Sequence, residues 1–237
     1  MGPGADAPSA VRPARGRVRD GLVASLALVP SVFVYGTVFG GLAVQAGMRA
    51  IEVLGMSLLV FAGASQFMAV PMIAAGASPV AIVLTTYVIN MRHYLMAATL
   101  APAFATFPRA WLPLVAHGIN DESFAVAVAR QNPPDPWLFI GSVLAVRGSF
   151  LAGVIVGLGL GGLVSDPARW GLDFAFPAVF LALAVSQLHG RADRLVGLAS
   201  GALAVIIALW LPGNWHIIVA GVIVSAVAAL VRDAGGA

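Results

Sequence analysis

An apolar stretch, LTTYVINMRHYLMAATLAP (84–102), carries an amide, a guanidinium and an imidazole at its middle: Asn90, Arg92 and His93. Further on, WLPLVAHGINDESFAVAVAR (111–130) holds Asn120, Asp121, Glu122 and Ser123 at its own centre. One cation, two carboxylates and a titratable ring form a set that can hold a zwitterion: a carboxylate on Arg92 and an ammonium on Asp121 or Glu122. His93 or one of the acids is the candidate proton carrier, changing its charge as water reaches it from one side or the other. Other polar groups fall at the same level. FAGASQFMAVP (61–71) brings Ser65 and Gln66, while Thr85 and Thr86 stand one to two turns before Arg92. Arg147, with Ser149 nearby, is a further intramembrane candidate, and His117 lies one turn before Asp121. Phe61, Phe67, Met68, Met91 and Phe124 are the candidate apolar wall for the hydrophobic part of such a ligand.

The elements that position these residues follow from composition. Of 237 residues, 60% are hydrophobic and 10% charged, far from the balance of a soluble domain. Apolar runs at 21–48, 53–76, 80–103, 111–130, 137–163, 172–189, 195–211 and 215–231 are each long enough for a bilayer core of about 30 Å. They lack the period-two alternation of barrel strands, so the expected class is all-α: a polytopic helical membrane protein of about eight spans, or seven if one weak segment does not cross. Pro30, Pro71 and Pro102, with the glycines around them, predict helices that are discontinuous near the midplane. Residues 1–20 form an Arg-rich tail, 21–231 one transmembrane domain and 232–237 a short C-terminal tail. With the N-terminus inside, inner segments hold Arg12, Arg15, Arg17, Arg19, Arg130, Arg191, Arg194 and Arg232 against Arg49, Arg109 and Arg169 outside, which predicts a cytoplasmic N-terminus.

Arg92 at the centre of a span costs about 2.5–3.5 kcal/mol on insertion scales, so a partner is required, and the acids at the same depth supply it. A purely structural ion pair is the plainer reading of that cluster. Ser65, Gln66, Thr85 and Thr86 can equally be packing contacts between helices, and Arg147 can snorkel to a headgroup. His189 and His216 read as interfacial. The net charge of +3 does not argue for nucleic acid, and the absence of cysteine with only four histidines argues against a metal site. Neither H-E-x-x-H nor G-x-S-x-G occurs, so an intramembrane enzyme is the weakest alternative; an oligomeric channel for small polar solutes stays open beside the carrier. Ser65–Gln66 is echoed by Ser186–Gln187 about half a chain later.

Taken together, MSLLVFAGASQFMAVPMIAAGA, TTYVINMRHYLMAATLAP, GINDESFA and WGLDFAFPAVFLALAVSQ resemble the AzlC family, the large subunit of branched-chain amino-acid exporters. The resemblance implies a permease for hydrophobic amino acids that works with a small AzlD-type membrane subunit, needs no cofactor and is not an enzyme.

Overall fold

The computed structural model describes residues 14–130, 134–163 and 190–210, with positions 181, 185, 223 and 224. The expected spans 172–189 and 215–231 are therefore touched only at single positions, and residues 1–13 and 232–237 of the expected tails, with Ser186, Gln187, His189 and His216, lie outside the described residues. Among the described residues the regular elements are helices, without a strand, as the all-α expectation requires. They are α1 (Ala14–Ala24), α2 (Val29–Gln45), α3 (Ala50–Leu59), α4 (Gly63–Ala74), α5 (Pro79–Asn90), α6 (Arg92–Leu100), α7 (Leu112–His117), α8 (Asp121–Arg130), α9 (Pro136–Gly161) and α10 (Arg191–Trp210). α1 begins within the segment expected to be a tail.

α9 is the mast. Asp135 caps it by accepting hydrogen bonds from the amides of Trp137 at 2.8 Å and Leu138 at 3.1 Å, and Pro136 takes the first position, where a missing N–H costs nothing. Its 26 residues rise about 39 Å, and α9 alone among the described helices is long and apolar enough to cross a bilayer unbroken. α1 and α2 pass the same test as a pair bent by 68°. The bend precedes Pro30, whose ring excludes the carbonyl of Leu26 and ends the helical ladder there.

Glycines set the direction of packing. A Cβ at Gly21 would overlap the Leu138 carbonyl, one at Gly36 the Phe150 carbonyl and one at Gly40 the Val154 carbonyl, so α1–α2 and α9 run the same way in backbone contact. Ser25 donates to Ser142 at 2.7 Å and Ser149 to the Val29 carbonyl at 2.7 Å along the same seam. At its start Arg17 and Asp135 pair at 2.8 Å. Burial pushes the Asp135 carboxyl up, but the Arg17 guanidinium and the two capping amides outweigh it and hold the group below the ordinary carboxylate range.

Two segments expected to cross the membrane instead turn back at mid-height. α2 ends beside the end of α9, where Gly161 meets Gly41 and Val44. From there α3 descends only to the middle of α9, where Arg147 donates to the Leu58 carbonyl. Phe61, at φ 46, and Ala62, extended at φ −134 and ψ 90, then break the helix. α4 returns, because α5, antiparallel to it through the Asn90–Ser65 hydrogen bond of 3.1 Å, runs on through α6 to the opposite end. Tyr87 and Tyr94 stay in edge contact across the joint at Met91, with centroids 6.4 Å apart. Below it Phe104 packs on Phe139 at 5.8 Å and Phe107 on Trp137 at 5.1 Å, at the start of α9.

α7 rises from that start to mid-height, where His117 lies 3.1 Å from Arg147. Asn120 closes the turn: its Oδ1 accepts from the Ser123 amide at 2.9 Å and its Nδ2 donates to the Gly118 carbonyl at 2.9 Å. α8 then goes back down, with Ala127 in one core cluster with Leu100, Phe104 and Phe139. The segments 53–76 and 111–130 are thus hairpins of half-helices with tips at 60–62 and 118–120, entering from opposite ends of α9. A second apolar cluster, built on Phe39, Phe67, Phe150 and Val154, fixes the first hairpin to α2 and α9.

Candidate functional site

Where the tips meet the α5–α6 joint, a cavity of about 530 Å³ opens. Its floor is made of helix beginnings: Gly63 and Ala64 start α4, Arg92 and His93 start α6, and Asp121 and Glu122 start α8. Ser31, Val32 and Tyr35 of α2, with Ala62, Met68, Ile89 and Asn120, complete the lining. Breaking three helices at one level is what brings their N-terminal dipole ends, which favour anions, to one space.

The charges follow from those ends. Asp121 and Glu122 sit in the first turn of α8, where the dipole stabilises carboxylates. Arg92 occupies the first turn of α6, where the same dipole opposes a cation, and Asp121 offsets it through a 2.8 Å ion pair. Both partners keep access to the cavity, with side chains 33% and 45% exposed, so the pair is not a sealed core bridge. Glu122 makes no ion pair among the described residues. The α4 start has no side-chain cap; Gln66 Oε1 accepts only from the Ala62 amide, at 3.2 Å. The buried Arg92 Nε and Asn90 Oδ1 have no hydrogen-bond partner.

The expected residues divide by placement. Arg92, His93, Asn120, Asp121, Glu122 and Met68 line the cavity. Asn90 and Ser65 brace its rim by their mutual bond, and the Asn90 carbonyl lies 2.9 Å from His93 Nδ1. Gln66 is buried behind the tip and donates to Ser57 at 3.3 Å. Thr85 is buried with its hydroxyl unpartnered, and Thr86 bonds back to the Ile82 carbonyl at 2.9 Å. Among the apolar candidates, Phe67 is buried in the core, stacked on Tyr35 at 4.4 Å, because α4 turns that face toward α2. Met91 points outward at the joint, half exposed, and Phe124 packs on the lower cluster. Phe61 stands at the tip rather than in the main wall. Arg147 lies outside the cavity, its guanidinium 4.7 Å from the Phe61 ring centroid.

Sequence reasoning missed Ser31 and Tyr35. A signal existed, since Tyr35 is at the centre of the segment 21–48, the same depth criterion that singled out Arg92.

The family described as AzlC protein matches residues 27–164. The chain belongs to the AzlC family. The match takes in every cavity residue named above and leaves α10 outside. The chain is 32% identical over 189 residues to a membrane protein of Archaeoglobus fulgidus, covering 78% of this chain and 82% of the relative. It is 29% identical over 223 residues to the inner membrane protein YgaZ of Escherichia coli, covering 90% and 89%. The branched-chain amino acid transport protein AzlC of Bacillus subtilis is 24% identical over 200 residues, covering 83% and 78%. No solved structure matches the chain. This AzlC-family chain is accordingly a helical membrane protein, and its relatives support a role in membrane transport.

Proposed function

We propose that the chain is a permease exporting branched-chain or other hydrophobic amino acids, driven by a proton gradient and working with a small AzlD-type subunit in the bacterial inner membrane. The observation that carries this reading is the cavity itself: a cation held in place by one carboxylate, a second carboxylate free to act, and uncapped helix starts opposite. A zwitterion fits that polarity. Its carboxylate goes to Arg92 and the Gly63–Ala64 amides, and its ammonium to Glu122 or Asp121. Met68 and Ile89 offer the apolar side chain a surface. A substrate carboxylate that competes with Asp121 for Arg92 frees that acid to take up a proton, which links loading to protonation. The N-terminus faces the cytoplasm in this reading, with Arg17 and Arg130 on that side.

The test is leucine counterflow in proteoliposomes, with and without the small subunit. Saturable, counterflow-stimulated flux that needs the subunit and is abolished by Glu122→Gln is the expected result. Non-saturating flux would mean a channel, and flux by the single chain would remove the partner from the proposal.

A further inference from the structure

Beneath the tips lies a second cavity, of about 640 Å³, walled by Phe107, Trp111, Trp137, Phe139 and Val143 and ending at Arg147. Arg147 has no acidic partner among the described residues. It is held by what the hairpins present to it: the Leu58 carbonyl at the C-terminal end of α3, the ring of His117 at the C-terminal end of α7, and the face of Phe61. Each hairpin therefore turns its positive helix start toward the upper cavity and its negative helix end toward Arg147. His117 Nε2 lies 2.9 Å from the Leu58 carbonyl and 3.1 Å from Arg147, and a single ring nitrogen serves only one of them at a time. A void of about 30 Å³ lined by Phe61, Asn120, Glu122 and Val146 adjoins the upper cavity, sharing Asn120 and Glu122 with it, and Arg147 of the aromatic cavity lies over the Phe61 ring, so that ring and that guanidinium stand where the two linings approach.

We propose that Phe61 and Arg147 form a gate between the two cavities, and that the aromatic cavity is a second resting site for the same amphipathic cargo, its carboxylate on Arg147 and its apolar part on the tryptophans. The inference deepens the transport reading and rests on it for the cargo alone. Phe61 is built for such a part. A non-glycine residue at φ 46 is strained, and a chain that needed only the turn would be served better by glycine, so the ring is the feature retained. The lining of the aromatic cavity reaches from Arg147 down to Pro108 and Trp137 at the start of α9, the side that carries Arg17 and Arg109, and the route to it is assigned to that side.

The chain contains no cysteine, so single cysteines report without background. Val143→Cys places a thiol in the aromatic cavity and Ala64→Cys one in the upper cavity. In oriented vesicles Val143→Cys should react with an impermeant thiol reagent from the Arg17 side, while Ala64→Cys should not. Adding Phe61→Gly, which keeps the turn and removes the ring, or Arg147→Gln should raise Ala64→Cys labelling from that side at least about tenfold. Phe61→Leu, which keeps bulk, should leave it low. Equal Ala64→Cys labelling in the parent and in both opened variants, each monodisperse in detergent, would overturn the gate; an unreactive Val143→Cys would overturn the route. Labelling needs no cargo. Leucine protection of Val143→Cys tests the second site separately, and its absence with gated labelling intact counts against an amino-acid cargo and not against the partition.

Discussion

α1, α2 and α9 form one kind of structure and α3 to α8 another. In the first, glycines at 21, 36, 40, 141, 153 and 157 bring backbones into contact over the whole length of α9, and the polar groups are spent on serine bonds along the seam. In the second, no described helix exceeds 12 residues, and the polar and charged groups stand at helix ends around a cavity. The difference teaches where each can move. Backbone-to-backbone packing has no slack and acts as a fixed frame, while short helices joined at Phe61, Met91 and Gly118–Asn120 can pivot without breaking a long ladder of hydrogen bonds.

The largest expected effect breaks the frame. At Gly153 a Cβ would overlap the Phe33 carbonyl, which is backbone and cannot step aside. Gly153→Val should therefore destabilise by about 3 kcal/mol or more, the upper end of overpacking costs, and abolish the folded fraction in a detergent melting assay. A variant that melts within a few degrees of the parent would mean that the seam is looser than drawn.

The next effect belongs to the cavity. Arg92→Gln and Asp121→Asn should each destabilise, and the double substitution should cost less than their sum by about 1–3 kcal/mol, since each single change leaves an uncompensated charge. Export should stay lost in the double variant. Strict additivity would deny the pairing, and recovered export would make the pair structural.

How far the sequence went is visible in those same residues. Arg92 and Asp121 could be matched because both lie mid-segment, and the middle of a hairpin is its tip, which is at mid-depth just as the middle of a span is. Hydropathy is blind to direction, so 53–76 and 111–130 read as crossings. The turning points are backbone events, a positive φ at a phenylalanine and an Asn120 cap, that residue type alone does not announce. A clue lay in the arginines: if 111–130 returns, Arg109 joins Arg17 and Arg130 on one side, which sharpens the charge asymmetry that an outer Arg109 had weakened. Phe67 and Met68 are neighbours in sequence, yet successive residues stand about 100° apart around a helix, so Met68 lines the cavity while Phe67 packs toward α2.

A smaller effect tests how the frame is anchored. Asp135 is both a cap and the partner of Arg17, and two substitutions separate these roles. Asp135→Asn keeps a good cap and loses the ion pair; Asp135→Ala loses both and should cost about 1 kcal/mol more. The carboxyl's folded-state pKa lies below its unfolded value near about 3.9, so its contribution is fully present above that value and is lost as pH falls through the lower, folded one. Parent stability should therefore decline more steeply than that of Asp135→Asn on acidification below about pH 4. Parallel curves would mean that the pair is inert.

The smallest effect sharpens the comparison from the other side. Gly55, in the middle of α3, has no atom within 4 Å of where a Cβ would stand, so unlike Gly153 it makes no close contact that a side chain would destroy. Its φ is not in the left-handed region, since the positive-φ glycines described are Gly47 and Gly76. What glycine costs there is helix propensity, about 0.5–1 kcal/mol relative to alanine. Gly55→Ala should thus raise the melting temperature slightly in a chain whose seam glycines at 21, 36, 40, 141, 153 and 157 leave no room for a Cβ. The same substitution also stiffens an arm of the first hairpin, so if that arm flexes during transport, the gain in stability should come with slower leucine counterflow. Higher stability with unchanged flux would confine the pivot to Phe61 and Ala62, and lower stability would show that α3 packs on a surface that its described neighbours do not provide.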